Sequence, residues 1–279
     1  MLMKRKFVGI LLCILFLLSG CGNNSENEQE LGQLKVTFMN VGQGDAILLE
    51  CNGHNMLIDG GSAYTNNVYL TLQEKNITDF DYVFCTHADE DHIGGLTLAL
   101  EGLNVGKYFC SSADKNTKAY INFMSMIEQQ NKKLTTPKAG DTFKLSNAII
   151  EVLAVDVNPR ISNDSSIVLK VTFGDCSFLF TGDAETETID YLMKNVSDLR
   201  CDVLKIAHHG AEISSPKSFI SSVQPRYAVI SVGANNKYNH PDEETTTILS
   251  DLKIETYITS VNGSIIFETN GKNLVHSFK

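Results

Sequence analysis

The chain has 279 residues, is 43% hydrophobic, and carries 33 carboxylates against 23 lysines and arginines, a net charge of −10. That length is enough to bury a sizeable core, as one large domain or two small ones. The acidic balance excludes broad electrostatic capture of nucleic acid, and no internal repeat points to a solenoid.

The first predicted element is a leader. Lys4, Arg5 and Lys6 precede an apolar run, Phe7 to Leu18, that is too short for a transmembrane helix and suits a signal-peptide core. It ends in "LSGC", Leu18 to Cys21, which resembles the lipobox of bacterial lipoproteins. That resemblance implies cleavage before Cys21 and a lipid on its thiol. The protein would then be anchored at the extracytoplasmic face of the cell membrane. The expected organisation is a signal peptide over 1–20, a polar, acidic tether over 21–33, and one folded domain over 34–279. Loss of the three leader cations takes the net charge from −10 to −13.

From Leu34 the chain reads as short strands, turns and helices. "LKVTFMN", "DAILLE" and "NMLIDGG" predict hairpin strands, "VYLTLQEKN" a helix, "DYVFCTH" a strand and "IGGLTLALEG" a helix. Asp114 to Lys133 predicts a longer amphipathic helix. Strands follow in "AIIEVLAV", "SIVLKVTF", "CSFLFTGD" and "CDVLKIAHHG", with a helix near Glu185 to Val196. The chain closes with helix "SPKSFISSVQ", strand "RYAVISVGA", helix "PDEETTTILSDL" and strands around Tyr257 and Ile265. Meandering strands first and alternating strands and helices later predict two sheets covered by helices. Cys51, Cys85, Cys110, Cys176 and Cys201 lie far apart and read as buried free thiols.

Several strands end alike: in Asp59, in His87, in Asp183, and in His208 and His209, while the loop after "VISV" delivers His240. Carboxyl ends of strands are where side chains converge on a cleft. Imidazole and carboxylate together are the ligand set of zinc, manganese and iron. Within "THADEDHIGG", His87 and Asp89 alternate on an extended loop and suit one metal, while Asp91 and His92 open the next helix and reach a second. A helix start is often acidic, but that gives no reason for the two histidines.

"HADEDH" resembles the H-x-[HD]-x-D-H signature of the metallo-β-lactamase superfamily. The ordered set "VGQGDA", "LIDGG", "THADEDHIGG", "NDSSIVL", "FLFTGD", "LKIAHHG" and "NHP" is similar to a narrower branch. That branch holds the hydrolase domain of DNA-internalisation competence proteins and the phosphorylcholine esterase domain. The resemblance spans roughly Leu34 to Thr269 and implies an α/β fold, the αβ/βα four-layer sandwich. It also implies two divalent ions, zinc or manganese. The first would be held by His87, Asp89 and one of His208 and His209, the second by Asp91, His92 and His240, with Asp183 bridging. Asp59 would sit behind the metals, and Gln43 and Asp45 at the cleft rim, where "VGQGD" otherwise reads as a tight turn. Tyr238 and Asn239 beside His240 would, by the same resemblance, stand where substrate is contacted.

Two departures from the wider superfamily stand out: Asp89 replaces a histidine, and Asn163 and Asp164 of "NDSS" stand where another is expected. The added carboxylate shifts preference toward harder ions such as manganese. The activity implied is hydrolysis of phosphodiesters, DNA among them, by a water whose pKa two metals lower. Asp91 and the His208–His209 pair would be the catalytic residues, the spare histidine protonating the leaving group. Two alternatives are a cell-wall or head-group phosphodiesterase and a lipid-anchored binding protein without chemistry. The chain has no Trp for a choline cage, and no protein partner is implied.

Overall fold

The computed structural model describes residues 31–112 and 116–279. The leader, Cys21, the tether as far as residue 30 and the expected helix start at Asp114 lie outside them. Leu31–Lys279 forms one compact unit. Strands β1 (Leu34–Phe38), β2 (Ile47–Cys51), β3 (His54–Ile58), β4 (Asp79–Cys85), β5 (Asn104–Cys110) and β6 (Leu134–Thr135) build one sheet. Strands β7 (Thr142–Leu145), β8 (Ala148–Ala154), β9 (Val168–Phe173), β10 (Cys176–Phe180), β11 (Val203–Lys205), β12 (Tyr227–Ile230) and β13 (Glu255–Ile258) build the other. A last hairpin, β14 (Ile265–Thr269) and β15 (Leu274–Phe278), returns to the first sheet beside β1.

The apolar strands face each other. Phe38, Phe84 and Phe109 of the first sheet join Phe178, Phe180 and Val229 of the second in one core, with the Phe38 and Phe180 rings 5.9 Å apart. Helices α1 (Asn67–Glu74), α2 (Glu90–Ile93), α3 (Leu96–Leu100) and α4 (Lys118–Gln129) follow strands of the first sheet, whose outer face buries Leu72, Leu96 and Phe123. Helices α5 (Thr186–Asn195), α6 (Lys217–Val223) and α7 (Glu243–Asp251) do the same for the second through Leu192, Phe219 and Leu249. The result is the expected four-layer sandwich. All five cysteines of the described residues are buried and free. No described helix is long and apolar enough to cross a membrane.

Each sheet has an antiparallel half and a parallel half. Strands β3, β4 and β5 run parallel, as do β10, β11, β12 and β13. Parallel neighbours need helical crossovers, and their carboxyl ends therefore gather at one edge. The helix expected over Ile93–Gly102 is broken in two at Gly94 and Gly95. A Cβ on Gly95 would lie 2.2 Å from the Gly60 carbonyl oxygen, so this segment presses backbone against the loop after β3. Strands β6, β7 and β15 were not anticipated. They are short or half-exposed, at or beside sheet edges, and their apolar alternation is weak.

Candidate metal centre

The loops leaving β3, β4, β10 and β11 carry the candidate residues to the shared edge. Asp59 directly follows β3, His87 lies two residues past β4, and Asp91 and His92 sit on α2. Asp183 follows β10 through Thr181 and Gly182, and His208 and His209 follow β11. Asp59, His208 and His209 all hold left-handed backbone, with φ of 59°, 48° and 55°. Such a conformation costs a non-glycine residue on the order of 1–3 kcal/mol and persists where surrounding structure enforces it. Here it turns side chains at strand ends inward. Gly44 serves the same end, since a Cβ there would fall 2.0 Å from the Asp91 carbonyl oxygen.

The donor atoms converge. Asp183 Oδ2 lies 3.1 Å from His92 Nε2, 3.3 Å from His209 Nε2 and 4.0 Å from His208 Nε2. His209 Nε2 is also 3.3 Å from Asp91 Oδ2, and His87 Nε2 is 3.7 Å from Asp89 Oδ2. Three groups among the described residues have all donor atoms within 4.8 Å of one another: His87, His92 and Asp183; Asp91, His92 and His209; and, behind them, Asp45, Asp59 and His92. Atoms bound at about 2.0–2.2 Å to one zinc ion stand no more than about 4.4 Å apart, and the pair distances above fall inside that span.

The opposite ring atoms are fixed. His92 Nδ1 is 2.9 Å from Asp59 Oδ2, which also accepts from the Thr86 hydroxyl at 2.7 Å. His209 Nδ1–H donates to the Ser231 carbonyl at 2.8 Å. His87 Nδ1 is 3.1 Å from Thr86 Oγ1 and 3.5 Å from Ser166 Oγ. Each outer contact turns an Nε2 atom inward, the arrangement found behind metal-ligating histidines. The Nε2 atoms of His87, His92 and His209 and Oδ1 of Asp183 are buried yet have no hydrogen-bond partner. Orphaned buried polar atoms are costly. Their convergence on shared points is what a divalent cation satisfies, so these residues fit the metals the sequence implies.

Electrostatics agree. Burial, followed by the charge on His92, pushes His87 down to about 4, leaving a neutral imidazole. Burial also opposes charge on His92 and His209. Asp183 and Asp59 nevertheless hold His92 well above the usual imidazole range, and Asp183, Asp91 and Asp45 push His209 up to about 9. Burial works against ionised Asp91 and Asp183 as well, but the two histidines keep both carboxyls well below the ordinary range. In this balance the two imidazolium charges offset carboxylates that a bound cation would otherwise neutralise.

The structure separates the remaining candidates. His209, not His240, stands beside Asp91 and His92. The His240 ring lies 5.7 Å from that of His208, its Nδ1 is 3.2 Å from Asp242 Oδ1, and it joins none of the three donor groups. His208 sits at the mouth, its side chain 25% exposed, with Nδ1 3.1 Å from Glu185 Oε1. Burial lowers its pKa. Asn163 lies beside it, Nδ2 donating to Glu185 at 2.7 Å and lying 3.5 Å from His208 Nε2. Asp89 accepts from Ser162 Oγ at 2.6 Å.

Asp164 turns away and accepts from the Glu185 and Thr188 amides at the start of α5. Gln43 and Asp45, expected at the rim, point inward: Gln43 Oε1 accepts from the Gly233 amide, and Asp45 is 1% exposed. Tyr238 is 51% exposed and stacks on His240 at 5.8 Å, with Asn239 beside it in left-handed backbone. Glu185, Ser162 and Ser231 were not anticipated in these positions, nor was the burial of Lys205. For Lys205 a signal existed, since a lysine inside the apolar run "DVLKIA" has few reasons to be buried.

The sequence profile of the metallo-β-lactamase superfamily matches residues 39–234. The chain is 28% identical over 264 residues to ComE operon protein 3 of Bacillus subtilis strain 168, covering 88% of this chain and 34% of that protein. It is 28% identical over 236 residues to competence protein ComA of Neisseria gonorrhoeae, covering 83% of this chain and 32% of that one. It thus spans about a third of the length of these curated relatives. Among solved structures, the metallo-β-lactamase fold protein YhfI of Bacillus subtilis superposes with a TM-score of 0.58 at 16% identity, over 85% of this chain and 100% of that one. At that identity the likeness concerns the fold.

Proposed function

The chain belongs to the metallo-β-lactamase superfamily of metal-dependent hydrolases, and on that premise we propose that it cleaves phosphodiester bonds, DNA among them, using two divalent ions, zinc or manganese. The observation that carries the metal half is the convergence of orphaned Nε2 atoms and carboxylates at the sheet edge. The phosphodiester half is supported by a relative named for competence. His87, Asp89, Asp91, His92, Asp183 and His209 would hold the ions. Ions bound there supply Lewis acidity toward phosphoryl oxygens and lower the pKa of water toward neutrality.

The chain's own residues do the rest. Asp59, Thr86 and Ser231 fix the imidazoles that face the reacting group. His208 at the mouth passes a proton to or from the reacting oxygens at Nε2, steadied by Glu185 at Nδ1. We place this chemistry outside the cytoplasm, with Cys21 as the lipid-bearing residue.

The test is hydrolysis of bis-p-nitrophenyl phosphate by the full chain with added manganese. We expect turnover that His87→Ala and His209→Ala each abolish, and detergent-phase partition that Cys21→Ser removes. An inert metal-loaded protein would defeat the catalytic reading, and a Cys21→Ser chain that still partitions with detergent would defeat the anchor.

A further inference from the structure

Among the described residues Lys205 is the only buried lysine or arginine, with a side chain 0% exposed. Its ammonium lies 2.6 Å from Asp45 Oδ2, whose side chain is 2% exposed. Stability does not explain such a pair. Two buried charges lose hydration worth several kcal/mol each, and apolar replacements of similar volume are often as stable. What sets this pair apart is where its other contacts go.

They go to the segments that carry the donor atoms. Lys205 Nζ donates to the Gly182 carbonyl at 3.2 Å and lies 3.9 Å from Asp183 Oδ1. The Thr181 hydroxyl donates to the Lys205 carbonyl at 2.7 Å, so the turn that delivers Asp183 is held from both sides. Asp45 donates its amide to the Asp91 carbonyl at 3.2 Å and accepts from the Gly61 amide at 2.7 Å. Its Oδ1 lies 3.7 Å from His209 Nδ1. Asp45 precedes β2 in the first sheet, and Lys205 ends β11 in the second. The ion pair therefore joins the two sheets beneath a centre whose donors come from both.

We propose that Lys205 and Asp45 form a positioning pair, which locks Asp91, Asp183 and His209 in register across the two sheets so that divalent ions meet a preformed set of donors. Neither residue needs to touch an ion or a substrate. The ammonium also supplies a fixed positive charge among Asp45, Asp183 and their neighbours, so that repulsion between carboxylates does not spread the two edges apart. The role rests on the metal-centre reading above.

The test compares the full wild-type chain with the double variant Asp45→Leu/Lys205→Met, which removes both charges and keeps the volume filled. Manganese affinity is read by calorimetric titration, and thermal melting is read without metal. Losing an outer contact to metal ligands typically costs about 10–100-fold in affinity. We expect the double variant to fold, to melt near the wild type without metal, and to bind manganese at least about tenfold more weakly. Lys205→Arg, which keeps the charge, should retain more affinity than the double variant.

A folded double variant that binds manganese like the wild type would overturn the positioning role and leave the metal reading intact. A double variant that fails to fold would overturn it too, because the pair would then be a requirement of the fold. A wild-type chain that binds no metal would overturn the metal reading itself, and the positioning role with it.

Discussion

Asp183→Asn is expected to cost hydrolysis of a phosphodiester more than about 100-fold, beyond what the loss of an outer contact to a metal ligand costs. One carboxylate oxygen of Asp183 stands within 3.1 Å of His92 Nε2 and 3.3 Å of His209 Nε2, and its other oxygen is buried without a hydrogen-bond partner. The residue therefore meets a histidine of each of the two donor groups that His92 shares, His87–His92–Asp183 and Asp91–His92–His209. An amide keeps the shape but has one carbonyl oxygen and no charge, and its NH2 donates where acceptors are needed. His92 and His209 would also lose the anion that holds their protons. Turnover measured with saturating manganese checks this. Retention of more than a tenth of wild-type activity would mean that Asp183 is not a shared ligand.

Lys205→Met alone should produce the largest loss of stability in the metal-free protein. Removing one member of a buried pair leaves the other charge desolvated and uncompensated, at a cost of about 3–5 kcal/mol. For a domain of this size each kcal/mol moves the melting temperature by about 2–4 °C, so a fall of about 6–20 °C is expected. Adding Asp45→Leu should recover most of it, because the stranded carboxylate disappears. Thermal melting of the two variants in chelator decides the matter. If Lys205→Met melts within about 2 °C of the wild type, Asp45 is not left as a buried, uncompensated charge.

Much of this fold could be read before it was seen. The βα alternation after "DYVFCTH" and again after "CSFLFTGD" demands parallel strands, and parallel strands bring their ends to one edge. Asp59, His87, Asp183 and the histidine pair thus emerge together from pattern alone. What pattern could not convey is orientation. His208 and His209 are neighbours, and only the left-handed turn at both decides that His209 faces inward while His208 stays at the mouth. His240 is the tenth residue after β12, in a loop with no periodicity to place it, and its Nδ1 lies against Asp242. The Asp45–Lys205 pair joins distant segments of different sheets, and its one local trace is a lysine inside an apolar run. The break at Gly94 and Gly95 comes from tertiary contact with Gly60, which helix propensity does not register.

The central claim is that this edge of the sandwich is a divalent-metal centre. Calorimetric titration of the full wild-type chain with manganese or zinc, followed by elemental analysis after desalting, tests it most directly. The geometry predicts saturable binding of up to two ions per chain, a melting temperature that rises with metal concentration, and release of protons as His92 and His209 give up theirs. A chain that retains no metal, shows no heat of binding and melts at the same temperature with or without manganese and zinc would contradict it.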